Sequence, residues 1–255
     1  MIKLICFIRR RLDLDVPAFQ KHWREGHGPL IESLPKLRRH LVRYEQNHRL
    51  AADYARDAAT GDGVGHSGAT VSGYDGSTIM WFESMKEYNA FAGEPDYAEW
   101  IAPDEAKFMD RAQTLFFFTE KEEIKFGGDN ESTPEPASQA SVKLLALLRR
   151  RADLTPEQFH AHWSGPHAKL FTDSPALREN ILRYQQNHRF ADDYTRDPGL
   201  TWDGLAEQWY ASMESFYAGA GGPPFNEIVV PDEERFIDRP ATQFILSHPA
   251  FVILG

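Results

Sequence analysis

The sequence predicts an α+β protein in which one chain carries two copies of a single β-α-β-β-α-β unit. Three observations predict this. "IKLICFIRRRLDL" at 2–14 returns as "VKLLALLRRRADL" at 142–154, and "LVRYEQNHRLAADYARD" at 41–57 returns as "ILRYQQNHRFADDYTRD" at 181–197, both displaced by 140 positions. "APDEAKFMDRAQTLFFF" at 102–118 returns as "VPDEERFIDRPATQFIL" at 230–246, now displaced by 128, so the copies differ in length at one place. Within each copy, short apolar runs of strand length alternate with helical patterns.

Each element has a local reason. "IKLICFI" and "VKLLALL" are apolar runs stopped by arginines, as a strand buried on both faces requires. "DVPAFQKHWREG" opens with Asp15 as a cap and an early Pro17. "LTPEQFHAHWSG" opens with Thr155, Pro156 and Gln158 in capping-box spacing. Both helices are expected to stop at Gly26 and at Gly165-Pro166. "LVRYEQNHR" alternates, which places Tyr44, Gln46 and His48 on one face of a strand and Arg43, Glu45, Asn47 and Arg49 on the other. "STIMWFES" and "LAEQWYAS" read as third strands. Helical segments lead on to "PDE", and "AQTLFFFTE" and "ATQFILSH" close the copies. The result is two ferredoxin-like domains, 1–121 and 141–255, with 122–140 as a Gly, Ser, Pro and charge-rich linker. Helices cover one face of each sheet. The other face must be buried too, and a tandem copy supplies the partner for an intramolecular barrel.

Composition narrows the function. A net charge of −10 over 255 residues argues against nucleic acid and against an anionic membrane face. No apolar run approaches a membrane span, and the first residues lack the order of charge and apolar stretch of a signal peptide. The single Cys6, matched by Ala146, is read as a small buried hydrophobe, and a cytoplasmic location is expected. The extra Gly-rich stretch 58–74, which brings His66, reads as a lid over the first pocket or as a solvated insertion.

The chemistry concentrates in "HWREGH" and "HWSGPH". His22 and His27, like His162 and His167, stand five apart, roughly 140° around an α-helix, so they do not share a face as helical metal pairs do. With no cysteine cluster, neither a metal site nor a cofactor is expected. His27 and His167 fall on the turn after the helix, from where an imidazole can reach a pocket between helix and sheet; His48 and His188 join them from the second strand. These six histidines are the candidate acid-base groups. Tyr44, Tyr184, Trp23, Trp163, Gln46 and Gln186 are the candidate substrate contacts. The arginines 9–11 and 149–151 are a solvated strand end or an anion clamp. Asp110 and Asp238 form a salt bridge or orient a histidine.

A strand ending in "RRR", then "FxxHWxxxHxxL", "LxRYxQNH" and "PDExxFxDR" together resemble the EthD family, over both copies apart from 58–74 and the linker. The resemblance implies a dimeric α+β barrel, here fused in tandem. It also implies a role in degrading aromatic compounds or maturing polyketides, with the "HWxxxH" histidines at His22 and His27 and at His162 and His167. The expected activity is a cofactor-independent lyase that removes CO2, water or a small carbonyl fragment from an aromatic or hydrophobic substrate. A haem-linked or oxygen-using oxidoreductase and a non-catalytic binder of a hydrophobic metabolite are the alternatives. Pairing of the fused barrel into a homodimer is left open.

Overall fold

The computed structural model describes residues 1–60, 70–71, 73–120, 123–127 and 139–255. His66 and most of 58–74, with the lid reading attached to them, lie outside the described residues. The chain divides into two compact units. One comprises residues 1–48, 73–121 and 250–255, the other 49–72 and 122–249.

In the first unit, β1 (Ile2–Ile8), β2 (Arg43–His48), β4 (Gly76–Phe82) and β5 (Leu115–Glu120) are joined by β11 (Phe251–Leu254) in the order β11-β2-β4-β1-β5. In the second, β7 (Val142–Leu148), β8 (Arg183–His188), β9 (Gly204–Tyr210) and β10 (Gln243–Ser247) repeat the arrangement. There the two-residue β3 (Thr70–Val71) and β6 (Glu123–Phe126) flank them, in the order β3-β10-β7-β9-β8-β6. The four repeated strands thus run fourth-first-third-second, the ferredoxin-like order expected, with every pair among them antiparallel.

The units do not follow the repeat boundaries. Phe251–Leu254 pairs with β2 of the first unit, and Glu123–Phe126, within the stretch expected to be linker, pairs with β8 of the second. The physical reason is the open edge of β2 and β8, whose unpaired N–H and C=O groups each accept one more strand. The Gly, Ser and Pro content around "EIKF" concealed that short run. Residues 49–72 fall in the second unit because Asp53 is anchored there. Its Oδ2 accepts from Arg49 Nε at 2.6 Å and from Leu246 N at 3.1 Å.

Both faces of the central strands are buried. On β1, Leu4 and Ile8 face the helices, while Lys3, Ile5 and Phe7 occupy the opposite face beside Trp81, Ile79, Thr119 and Phe117. The buried Lys3 ammonium lies 4.7 Å from the Trp81 ring. On the helix side, the helix around Trp23 sits so close to β4 that a Cβ on Gly76 would meet Trp23 Cζ3 at 2.5 Å and Asn47 O at 2.7 Å. Gly204 stands under Trp163 in the same way. A side chain there forces the tryptophan, and with it the neighbouring histidines, away from the sheet. Gly76→Ala is therefore expected to cost about 1–3 kcal/mol, measured as a shift of the urea unfolding midpoint.

Candidate active site

The site begins with a helix that continues where the sequence reading ends it. Asp15 Oδ1 accepts from Ala18 N at 2.7 Å and starts the helix Val16–Lys21. In the second unit Thr155 and Gln158 form the expected capping box ahead of Pro156–His162. Gly26 and Gly165-Pro166 then lie inside wide π-type turns, His22–His27 and Trp163–His167, which run on into the helices Gly28–Ser33 and Ala168–Asp173. Prolines account for the widening. Pro29 has no N–H to give the carbonyl four residues earlier, and Pro166 likewise offers none to His162. In the first unit the Gly28 N–H reaches the Trp23 carbonyl, five residues back.

That geometry corrects the 140° separation inferred for an ordinary helix. In a five-residue turn, positions five apart come round to the same side, and one carboxylate meets both rings. Asp104 Oδ1 lies 3.0 Å from His22 Nε2, and its Oδ2 lies 3.0 Å from His27 Nδ1. The second unit repeats this, with Asp232 Oδ1 3.0 Å from His162 Nε2 and Oδ2 2.9 Å from His167 Nδ1. Asp104 and Asp232 are the acidic residues of the repeated "PDE", each placed just after another wide turn, Tyr97–Ile101 or Phe225–Val229, followed by Pro103 or Pro231. Four residues on, Phe108 lies under both rings, with centroids 5.2 Å from His22 and 5.0 Å from His27. Phe236 does the same for His162 and His167 at 4.6 and 5.0 Å. Positions four apart share a helix face, so "DxxxF" supplies both the carboxylate and the apolar shelf.

The electrostatics follow from the geometry. The bond from His27 holds the Asp104 carboxyl well below the ordinary carboxylate range, with Lys107 and His22 adding to it. Burial works against Asp232, yet the bonds from His167 and His162 still leave it lowered. Burial pushes the His167 imidazole down, against the pull of Asp232, and so favours the neutral ring. An ionised carboxylate accepts, so Nδ1 of His27 and of His167 is the donor to it, and whenever the ring is neutral Nε2 is the nitrogen without a proton.

The second strand anchors the turn from the sheet side. Gln46 Nε2 donates to the Trp23 carbonyl at 2.9 Å and to the Tyr44 hydroxyl at 2.8 Å, while its Oε1 meets His48 Nε2 at 3.0 Å. Gln186 makes the corresponding bonds to Trp163 O, Tyr184 Oη and His188. Tyr44, Gln46 and His48 thus share the face that their alternation predicts.

Beside this assembly the first unit holds a cavity of about 300 Å³. His27 and Tyr44 form part of its wall with Trp23, Ile31, Tyr97 and Glu105. Burial raises the Tyr44 phenol well above its ordinary range, so its hydroxyl stays protonated. The Tyr97 hydroxyl donates to Glu105 Oε1 at 2.9 Å, and Arg111 pairs with the other oxygen. The second unit has the matching wall, with His167, Tyr184, Trp163, Phe171, Phe225 and Glu233, but encloses only about 30 Å³.

The comparisons agree with this repeated geometry. The family model described as the EthD domain matches residues 11–112 and 151–240. This chain belongs to the EthD domain family. Comparison with curated proteins gives no match. Among solved structures, an anthrone oxidase-like protein is similar at a TM-score of 0.63 and 8% identity, over 99% of this chain and 92% of its own. A protein of Fusobacterium nucleatum subsp. nucleatum, titled a putative monooxygenase, is similar at 0.53 and 6% identity, over 98% and 93%. A mutant chlorite dismutase from Candidatus Nitrospira defluvii is similar at 0.50 and 10% identity, over 97% and 91%. At these identities the likeness speaks for the α+β barrel fold of EthD chains and for nothing finer.

The EthD motif residues divide between the cavities and their supports. His27, Tyr44 and Trp23 line the first cavity, and His167, Tyr184 and Trp163 line the second. His22 and His162 reach the bridging aspartates but not the cavity walls. His48 stacks on the far side of Trp23 at 4.3 Å, edge-on to Phe251. His188 lies against Trp163 and meets His160 Nδ1 at 2.8 Å. Gln46 and Gln186, expected at the substrate, instead hold the backbone of the wide turn. The arginine runs serve the fold: Arg10 pairs with Asp75, Arg11 with Asp13, Arg150 with Asp203 and Arg151 with Asp153. Asp238 pairs with Arg149 at 3.7 Å, and Asp110 caps a short turn through Ala112 N. The orienting carboxylates are Asp104 and Asp232, which the sequence reading passed over although "PDE" is repeated. Cys6 lines the first cavity, and burial keeps its thiol protonated. Among the described residues, no cluster of three or more His, Cys, Asp or Glu is arranged to hold a metal ion, and no helix is long and apolar enough to cross a membrane.

Glu233 supplies a pH-dependent prediction. Burial pushes its carboxyl up to about 7 from an ordinary 4.5, against the opposing pull of Arg239. Between these values the folded chain holds a proton that the unfolded chain has released. The stabilisation is complete below 4.5 and is lost as pH rises through about 7. Glu233→Gln should lack that part of the decline, visible as a smaller difference between urea midpoints measured at pH 5 and pH 8.

Proposed function

We propose that this EthD chain is an acid-base enzyme that removes CO2, water or a small carbonyl fragment from an aromatic or polyketide-like molecule without metal or organic cofactor. The observation that supports it is the pairing of Asp104 with His27 Nδ1 at 3.0 Å, which leaves Nε2 as the basic edge beside a cavity walled by aromatic and apolar side chains. A cavity near 300 Å³ lies at the lower end of the range for small-molecule sites.

In a dehydration, His27 Nε2 takes a proton from the carbon next to a carbonyl. The C–H electron pair becomes an enolate, stabilised by a hydrogen bond from the Tyr44 hydroxyl. As the enolate collapses to a C=C bond, the neighbouring C–O bond breaks and the departing hydroxide takes the proton from His27 to leave as water. In a decarboxylation, His27 Nε2 first takes the proton of the substrate's carboxylic acid. The C–CO2 bond then breaks with its electrons remaining on the ring or enolate carbon, and His27 returns that proton to the same carbon as CO2 leaves. Asp104 stabilises the imidazolium in both cases, and His22 holds the second oxygen of that carboxylate in place. A positioned acid-base group contributes roughly 10²–10⁴-fold, so the reading fits a substrate already activated by a carbonyl or phenol.

Turnover can be followed on a panel of phenolic acids and β-hydroxy aryl ketones by release of CO2 or by appearance of the conjugated product. His27→Ala with His167→Ala should abolish it. Asp104→Asn should lower kcat by about 10²-fold or more with a smaller effect on KM, because Asp104 touches the base and lies off the cavity wall. Full turnover by the double variant would refute the histidine assignment, and uptake of O2 during turnover would move the chain from lyase to oxidase chemistry.

A further inference from the structure

The two units carry the same histidine-aspartate pair but differ tenfold in the space beside it, about 300 Å³ against about 30 Å³. Only the larger space reaches the range of small-molecule sites. The difference follows from particular residues. Ile31 in the first unit is matched by Phe171, whose ring lies 5.0 Å from Tyr184 and 5.4 Å from His167, between the two groups that a substrate would have to meet. Tyr97, which holds Glu105 through its hydroxyl, is matched by Phe225, buried in the continuous core of the second unit with Phe171 and Tyr184. Phe116, 42% exposed in the wall of the first cavity, is matched by Phe244, which is 1% exposed and packed in that core. Tyr88 leans on Phe118 at a centroid distance of 4.6 Å, whereas its match Phe216 packs among Tyr210, Tyr217 and Phe244.

We infer that the chain has one working site, in the first unit, and that Phe171 plugs the second, whose His162-Asp232-His167 bridge is retained as a fastening between helices. The inference deepens the functional reading and rests on it for the word "working", but the difference in ligand access stands without it. The first site takes one flat aromatic molecule per chain. The second takes none while Phe171 is present.

Cys6 provides a reporter, since it is the sole cysteine, lines the first cavity and is matched by Ala146 in the second. Calorimetric titration with 1-naphthol should give one site per chain, and bound 1-naphthol should slow the reaction of Cys6 with methylmercury several-fold. Ile31→Phe, which adds a ring where there is room for it, should abolish both effects and leave the fold intact. Phe171→Ala should raise the stoichiometry to two, with density beside His167 in a soaked crystal. Should that variant unfold, the wild-type stoichiometry and Ile31→Phe still decide the matter. Two sites in the wild type, binding that survives Ile31→Phe, or no binding with Cys6 unprotected would each overturn the inference. Loss of turnover in His27→Ala but not in His167→Ala assigns the working copy. One bound probe without turnover on any substrate would count against the acid-base reading and leave the plug in place.

Discussion

One carboxylate shared by two imidazoles is the constraint on which the rest of the site depends. Asp104 can meet His22 and His27 together only because the helix between them widens. The helix widens because a proline soon withholds its hydrogen bond, and the widened turn keeps its place because Gln46 holds the Trp23 carbonyl from the sheet. Gly76 lets Trp23 approach the sheet that closely. A charged group this buried is costly unless every oxygen finds a donor. The two imidazoles meet that cost, and the same bonds leave one imidazole nitrogen basic.

Duplication separates what this arrangement needs from what a substrate needs. Every member of the bridge is present in both units, at 22, 27, 46, 104 and 108 and again at 162, 167, 186, 232 and 236. Around the empty space, by contrast, residues change between the units: Ile31 and Phe171, Tyr97 and Phe225, Cys6 and Ala146. A bridge that joins the helix after the first strand to the helix before the last is useful to the fold with or without a ligand. Repetition of the histidines therefore says less about catalysis than the cavity beside one pair of them.

Much of the fold was legible because it rests on local patterns. Strand alternation placed Tyr44, Gln46 and His48 on one face, capping spacing started both helices, and the two offsets defined the repeat. The edge strands escaped because "EIKF" is four residues long inside a polar stretch, and "FVIL" gives no sign of the unit it joins; strand exchange is a property of the whole chain. In the site, the five-residue spacing of the histidines was visible, but an ordinary helical wheel set them apart. A proline just after or within "HWREGH" and "HWSGPH" was the available signal for a wider turn. Asp104 and Asp232 were as regularly repeated as the histidines, and their spacing of four to a phenylalanine marked a shared helix face. Cavity volume was beyond sequence reasoning, since it depends on where the rings turn as well as on which are present: Phe116 and Phe244 are the same residue, yet one is 42% exposed and the other 1%.

The tautomer of His27 tests the central claim most directly. Nitrogen-15 correlation spectra of histidine-labelled protein at neutral pH distinguish a protonated Nδ1 from a protonated Nε2. A proton held on Nδ1, with Nε2 unprotonated and the pattern lost in Asp104→Asn, is the result the shared carboxylate predicts. A proton on Nε2 of His27, or a spectrum unchanged by Asp104→Asn, would contradict it.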